Sequence, residues 1–253
     1  MDGCGMESDE NGGSADHRIS QVLILGGGFG GIYTALKLEK LLRWRKDVSV
    51  TLVTRDNFFL FTPMLHEVAA SDLAINAIVS PLRKLLKRVG TFVGNVEAVD
   101  LTARVVRVSH GFDGHTHDLG FDHLVLALGA STNFFGLPGL ASQALTVRTL
   151  DDAVTLRSRL ISHLEEASSE CAAGSRKPLL TFVVAGGGFA GVETIGAIND
   201  FVREALRFYP GLGAGDMRMV LVTPDEMILP ELGPKLGVYA QRKLISRGIE
   251  VLT

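Results

Sequence analysis

Glycines at positions 26, 28 and 31 end a short apolar run, Gln21-Val-Leu-Ile-Leu, and the spacing recurs at Gly186, Gly188 and Gly191 after Thr181-Phe-Val-Val-Ala. Gly-x-Gly-x-x-Gly at the end of a strand and the start of a helix is the pattern that binds a dinucleotide. The first glycine permits the tight turn. The second lets the backbone approach a pyrophosphate, and the third lets the helix pack closely on the strand. The helix N-terminus then offers unpaired N–H groups and the positive end of its dipole to the phosphates. One such motif is weak, because glycine-rich loops also serve as plain turns. Two copies, each between an apolar run and helical spacing, predict two bound dinucleotides.

The elements that must position these loops can be read around them. Val22–Leu25 is a continuous apolar run, as expected of a buried parallel strand. Ile32, Ala35, Leu36, Leu38, Leu41 and Leu42 follow at helical spacing, and Val48–Val53 completes a βαβ unit. An acid about 20 positions past the glycines would ordinarily hold the adenosine ribose. Here Thr54 stands at that strand end, followed by Arg55 and Asp56, and its hydroxyl is the weaker substitute. In the second unit a strand is expected over Leu179–Ala185, a helix from Gly191 to about Tyr209 and a strand over Met217–Val222. Thr223 takes the acid's place there, with Asp225 and Glu226 close behind. No arginine sits at that strand end to welcome a 2′-phosphate, so NADH is preferred over NADPH. A helix over Pro234–Ser246 and a strand from Gly248 to Leu252 follow. A doubly wound half is not closed at that point, so residues 1–253 read as the front part of a longer protein.

Between the motifs, Phe58-Phe-Leu-Phe-Thr-Pro-Met-Leu-His66 is an apolar, aromatic run with Thr62 as a candidate helix N-cap and Pro63 at the first helical position. It can pack a core, wall a flat cofactor ring, or both. Ser80–Val89 is expected as a helix with Leu82, Leu85, Leu86 and Val89 on one face. Its other face carries Arg83, Lys84, Lys87 and Arg88, read as a solvated face rather than a contact with an anionic surface. Thr91–Val108 suggests a strand pair turning near Asp100–Ala103. His110–His117 reads as a polar connection. His115 and His117 lack a third spaced ligand, so a hairpin end is preferred to a metal site. Leu124–Leu128 is a further buried strand ending at Gly129. Ala153, Leu156, Leu160 and Leu164 stripe a helix starting at Thr149, and Glu165–Pro178 reads as a linker.

Composition excludes several classes. With 46% hydrophobic and 21% charged residues the chain is of ordinary globular type, and a net charge of −3 gives no argument for nucleic acid. No apolar run approaches the roughly 20 residues of a transmembrane helix. Met1–His17 is polar and glycine-rich, a disordered tail rather than a signal peptide. The two cysteines, Cys4 and Cys171, form neither a disulfide framework nor a metal spacing.

With these motifs placed, the sequence resembles the pyridine nucleotide–disulfide oxidoreductase superfamily of flavoproteins, and within it the type II NADH dehydrogenases, which pass electrons to a quinone without pumping protons. The segments that carry the likeness are GGGFGG at 26–31, FFLFTPML at 58–65, HLVLALGASTNFFGLPG at 123–139, RTLDDAVTLRSRL at 148–160, VVAGGGFAGVE at 183–193 and ILPEL at 228–232. The resemblance implies an α/β fold of two Rossmann-like domains, the second incomplete. FAD binding would fall in 18–150, a connecting helix and linker in 151–178, and NAD(P)H binding in 179–253. Gly26, Gly28 and Gly31 would cradle the FAD pyrophosphate, with Phe29, Gly30, Thr54, Arg55 and Val96 completing that side. Thr62 and Pro63 would lie near the flavin ring, and Ala127 and Gly129 would bring backbone against it. Gly186, Gly188 and Gly191, with Thr223, would hold NADH. Glu193 is the acid such proteins place near the nicotinamide–flavin junction; its bland alternative is a glutamate on the first turn of its own helix.

The likeness also implies a quinone substrate and a position peripheral to the inner face of the cell membrane. A C-terminal amphipathic helix would provide that attachment, and it falls beyond residue 253. Met64-Leu65-His66 departs from the usual Pro-Leu-Leu. A dithiol–disulfide reductase is excluded, since no cysteine lies between Cys4 and Cys171. A sulfide:quinone flavoprotein, in which Cys171 would pair with a cysteine beyond residue 253, stays as an alternative, although it has no need of the second glycine motif. The other alternative is a nucleotide-binding fragment without full activity.

Overall fold

The computed structural model describes residues 18–253; the tail expected at 1–17 lies outside them. The chain divides into two units. The first comprises the described chain up to Phe59 together with Pro81–Ala130, and the second Leu60–Ser80 together with Ser131–Thr253. The first unit opens with β1 (Ser20–Leu25), α1 (Phe29–Leu41) and β2 (Val48–Thr54). The chain then passes through β3 (Phe58–Leu60), a 3-10 turn at Thr62–Met64, α2 (Leu65–Ala69), α3 (Ile75–Ile78) and β4 (Val79–Pro81). Back in the first unit come α4 (Leu82–Leu85), β5 (Gly90–Val93), β6 (Asn95–Asp100), β7 (Val105–His110), β8 (His115–Gly120) and β9 (His123–Leu126). Next are α5 (Leu140–Gln143), α6 (Leu150–Ser169), α7 (Ala173–Leu179), β10 (Thr181–Ala185) and α8 (Phe189–Ala205). The last are β11 (Arg218–Val222), α9 (Gly233–Ser246) and β12 (Ile249–Leu252).

In the first unit a parallel sheet has the order β5-β2-β1-β9, and β6-β7-β8 form an antiparallel sheet. Ile24 and Leu52 are wholly buried with Ile32 and Ala35 of α1 and Leu82 and Leu86 on one side. Leu23, Leu25 and Val53, the alternate residues, pack with Val106, Val108 and Phe121. Successive apolar residues are therefore required at Val22–Leu25 of β1 and at Leu52–Val53 of β2, where both faces are covered. Burying each such Leu or Ile contributes about 1.5–3 kcal/mol.

In the second unit β10-β11-β12 form a parallel sheet. Met219 and Leu221 pack with Ile195, Ile198 and Val202 of α8 and with Leu160 and Leu164 of α6. Helix α2 lies on α6 and α8, and its Leu65, Val68 and Ala69 are buried with Ala153 and Ile78.

Several sequence expectations are corrected. The helix over Ser80–Val89 is a single turn, and Leu86 is already extended (φ −101°, ψ 121°). The reason is remote. The N–H groups of Lys87 and Arg88 donate to Glu39 Oε2 at 2.9 and 3.1 Å instead of to helical carbonyls. The apolar face survives, with Leu82, Leu86 and Val89 buried. Thr91–Val108 is not one strand pair, because β5 joins the parallel sheet on β2 and only β6 pairs with β7. The turn between β6 and β7 is held by Asp100 Oδ1, which accepts from the N–H groups of Thr102 and Ala103.

His110 and His115–His117 belong to strands, leaving a turn of only 111–114, and His110 Nε2 lies 2.7 Å from His117 Nε2. Thr62 caps nothing: it begins a 3-10 turn with no side-chain cap, in which Met64 N bonds Phe61 O. Most of the expected linker is helix, because Leu164 and Ala167 are fully buried and carry α6 on to Ser169, and α7 follows. Leu179 consequently ends α7 instead of opening β10, and β9 stops at Leu126.

The start of α6 shows how this chain caps a helix for stability. Thr149 Oγ1 accepts from Asp152 N at 3.1 Å, and Asp152 Oδ2 accepts from the N–H groups of Arg148 and Thr149 and from the Thr146 hydroxyl. Burial alone would raise the Asp152 carboxyl, but these hydrogen bonds outweigh it and hold it below its usual value. Asp152→Ala is expected to cost about 2 kcal/mol at neutral pH. A group depressed in the folded state stabilises above its unfolded pKa, and loses that contribution as pH falls through the folded value. Urea unfolding at pH 7 and at about pH 3 should therefore show the gap between wild type and Asp152→Ala narrowing in acid.

Candidate functional site: two glycine cradles

Helices α1 and α8 begin differently from α6. Their N-caps are Gly28 and Gly188, neither helix has a side-chain cap, and neither carries an acid in its first turn. A serine or aspartate at either cap would add a few tenths of a kcal/mol and supply the side-chain acceptor that both ends lack. They suit an anion, which would take the place of the missing cap.

The glycines around each end are sterically required. A Cβ on Gly31 would overlap the Gly26 carbonyl oxygen, and one on Gly191 would overlap that of Gly186. Here helix and turn touch backbone to backbone. Gly26, at φ +109°, would also drive a Cβ into the Ala127 carbonyl. By contrast, nothing lies within 4 Å of a Cβ placed on Gly28 or Gly188. Tightness at the third glycine and open space at the second are what a pyrophosphate cradle needs, and they fit the phosphates of a dinucleotide in both units.

The expected site residues sort by unit. The first brings Gly26, Gly30, Gly31, Thr54 and Ala127 together. Ala127 N donates to Leu25 O at 2.8 Å, and its methyl lies where a Gly30 side chain would touch it. Phe29 meets Phe59 edge-on with ring centroids 5.0 Å apart. Gly129 is exposed in left-handed backbone (φ +76°), and Arg55 is exposed. Val96 is partly buried against Val106 and Val108, at the edge of a β-bulge. In the second unit lie Gly186, Gly188, Gly191, Thr223 and Glu193, and also exposed Thr62 and Pro63.

Thr54 and Thr223 are buried, and each occupies the space that a side chain on the middle glycine of its Gly-Gly-Gly would need. The Thr223 hydroxyl is 2.7 Å from where a Gly187 Cβ would stand, and Thr54 Cβ is 2.8 Å from that of Gly27. Sequence reasoning passed over Gly27 and Gly187. The signal was present: each Gly-Gly-Gly is matched by a threonine at the end of the next strand.

It also passed over His66. Glu193 caps nothing on its own helix. Its carboxylate is about half exposed, with Oε2 3.7 Å from His66 Nδ1, and His66 Nε2 is 3.4 Å from Glu67 Oε1. His66 is itself largely buried, so the imidazole lies between two carboxylates on α2 and α8.

Each unit has a parallel sheet with a bare, glycine-lined helix end at the C-terminal edge of its first strand, the arrangement that suits a dinucleotide pyrophosphate. The chain belongs to the pyridine nucleotide-disulphide oxidoreductase family, whose sequence profile matches residues 20–253. It is 34% identical over 238 residues to the type II NADH:quinone oxidoreductase Ndh of Mycobacterium tuberculosis, covering 92% of this chain and 50% of that protein. To NdhA of the same organism, also a type II NADH:quinone oxidoreductase, it is 35% identical over 91% of this chain and 48% of the relative. The solved structure of NDH2 from Plasmodium falciparum superposes with a TM-score of 0.86 at 25% identity, over 93% of this chain and 48% of that one. The chain thus spans about half the length of the relatives it matches.

Proposed function

We propose that this chain is the nucleotide-binding part of an FAD-dependent NADH:quinone oxidoreductase of the type II class. The observation that carries the reading is the pair of uncapped, glycine-lined helix N-termini, one in each unit. When bound, FAD accepts a hydride and gives up two electrons, so the protein's task is to bind, orient and exclude water. The net reaction is NADH + H⁺ + quinone → NAD⁺ + quinol. Gly26, Gly28 and Gly31 hold the FAD pyrophosphate; Gly186, Gly188 and Gly191 hold that of NADH. Around the first cradle, Phe29, Gly30, Thr54, Arg55, Val96, Ala127 and Gly129 shape the flavin side. The absence of an arginine after Thr223, and the acids Asp225 and Glu226 there, favour NADH over NADPH. Glu193 is the acidic side chain at the reacting end, oriented by His66. The names of the relatives support the quinone as acceptor. A position at the membrane surface is part of the same proposal. Among the described residues no helix is long and apolar enough to cross a membrane.

The test is a visible spectrum of purified chain before and after anaerobic NADH. A yellow, monodisperse protein bleached by NADH supports the reading, with quinone reduction assayed next. A protein that takes up FAD but is not bleached by NADH, although its second unit is folded, would overturn it.

A further inference from the structure

The basic residues at 83–88 look like a solvated face when read alone, but in the folded first unit they have neighbours. Glu39 accepts from the N–H groups of Lys87 and Arg88, and the Arg88 guanidinium donates to the Arg43 carbonyl. The end of α1 and the segment after α4 are thereby stitched into one surface. Lys37, Lys40, Arg43, Arg45, Lys46, Arg83, Lys84, Lys87 and Arg88 are all exposed. The only acids in these two stretches are Glu39, engaged as above, and Asp47, paired with Arg45 at 2.5 Å. The result is a local excess of seven positive charges in a chain whose net charge is −3.

Within this patch Trp44 is 78% exposed and Leu41 64%. The Arg43 guanidinium lies 4.7 Å from the Trp44 ring. A solvated face explains the lysines and arginines. It does not explain a large aromatic and a leucine held in water among them. Tryptophan concentrates at membrane–water boundaries, where an apolar ring with one polar edge is at home, and lysines and arginines are drawn to anionic headgroups.

We propose that the surface formed by Leu41–Lys46 and Lys87–Arg88 docks on an anionic lipid bilayer, with Trp44 entering the headgroup region. The charge complementarity selects an anionic partner, and the exposed Trp44 and Leu41 select one with an apolar layer beneath its charges. This surface lies wholly within the first unit and does not depend on the oxidoreductase reading.

Trp44 is the only tryptophan in the chain, so its fluorescence reports on this surface alone. Vesicles of phosphatidylcholine doped with phosphatidylglycerol are expected to shift its emission to the blue, and phosphatidylcholine alone to leave it unmoved. Lys46→Glu with Lys87→Glu is expected to weaken partitioning by roughly tenfold or more. The equal charge change Arg207→Glu with Lys235→Glu, at exposed positions of the second unit, should leave it intact. Trp44→Phe keeps the charges and is expected to lower vesicle co-sedimentation several-fold. An emission unmoved by anionic vesicles overturns the proposal, as does an equal loss in the two charge-reversed pairs. A shift with duplex DNA or an acidic polypeptide, but not with vesicles, reassigns the surface and overturns it too.

Discussion

Gly31→Ala is expected to unfold the first unit. The added methyl would overlap the carbonyl oxygen of Gly26, a backbone atom fixed at the end of β1. Gly26 N is itself bonded to Val53 O at 2.8 Å, so the turn cannot retreat without breaking the β1–β2 register. Helix α1 would have to lift off instead, opening the packing of Ile32 and Ala35 on Ile24 and Leu52. Overpacking of this kind costs about 3 kcal/mol or more, a large share of a domain's stability. Gly191→Ala repeats the experiment in the second unit, against Gly186. Limited proteolysis read by mass spectrometry should place new cleavages in the first unit for Gly31→Ala and in the second for Gly191→Ala. Unchanged urea midpoints would show that the close approaches are not rigid.

The complementary pair separates binding from folding. Gly28→Val and Gly188→Val insert a side chain where nothing lies within 4 Å, at extended backbone that valine adopts freely. Stability is expected to change by less than about 1 kcal/mol. The valine would stand over the bare helix end and keep phosphates away from its N–H groups. Gly28→Val is expected to yield folded protein with FAD affinity reduced about 100-fold. Gly188→Val should retain yellow colour but need about 100-fold more NADH for bleaching. If both variants bind as the wild type does, the helix ends are not where the phosphates sit.

The two glycine motifs were legible because the strand, turn and helix that make them lie within about 20 residues. What escaped reading is set by partners distant in sequence. The stop of α4 depends on Glu39, reaching Lys87 and Arg88 from α1. Thr54, expected from its position to touch a ribose, is buried against Gly27, a match visible only when each Gly-Gly-Gly is set beside the end of the next strand. His66 read as part of an apolar run, and only the packing of α2 on α8 brings it to Glu193. The continuation of α6 was legible in Leu164 and Ala167, but the small polar residues around them suggested a linker. Composition described the surface of that helix and concealed its buried stripe.

The second unit borrows residues 60–80 from a chain that otherwise belongs, on both sides, to the first. On a ribosome this creates a waiting time. Leu65, Val68 and Ala69 emerge some 80 residues before Ala153, the α6 residue against which they are buried. At roughly 5–20 residues per second the interval is about 4–16 seconds. Once Ala130 has emerged, the first unit can fold while an apolar loop still hangs from it without its partner. That loop is a natural target for a chaperone during synthesis. It also means that no single cut in the gene releases either unit whole.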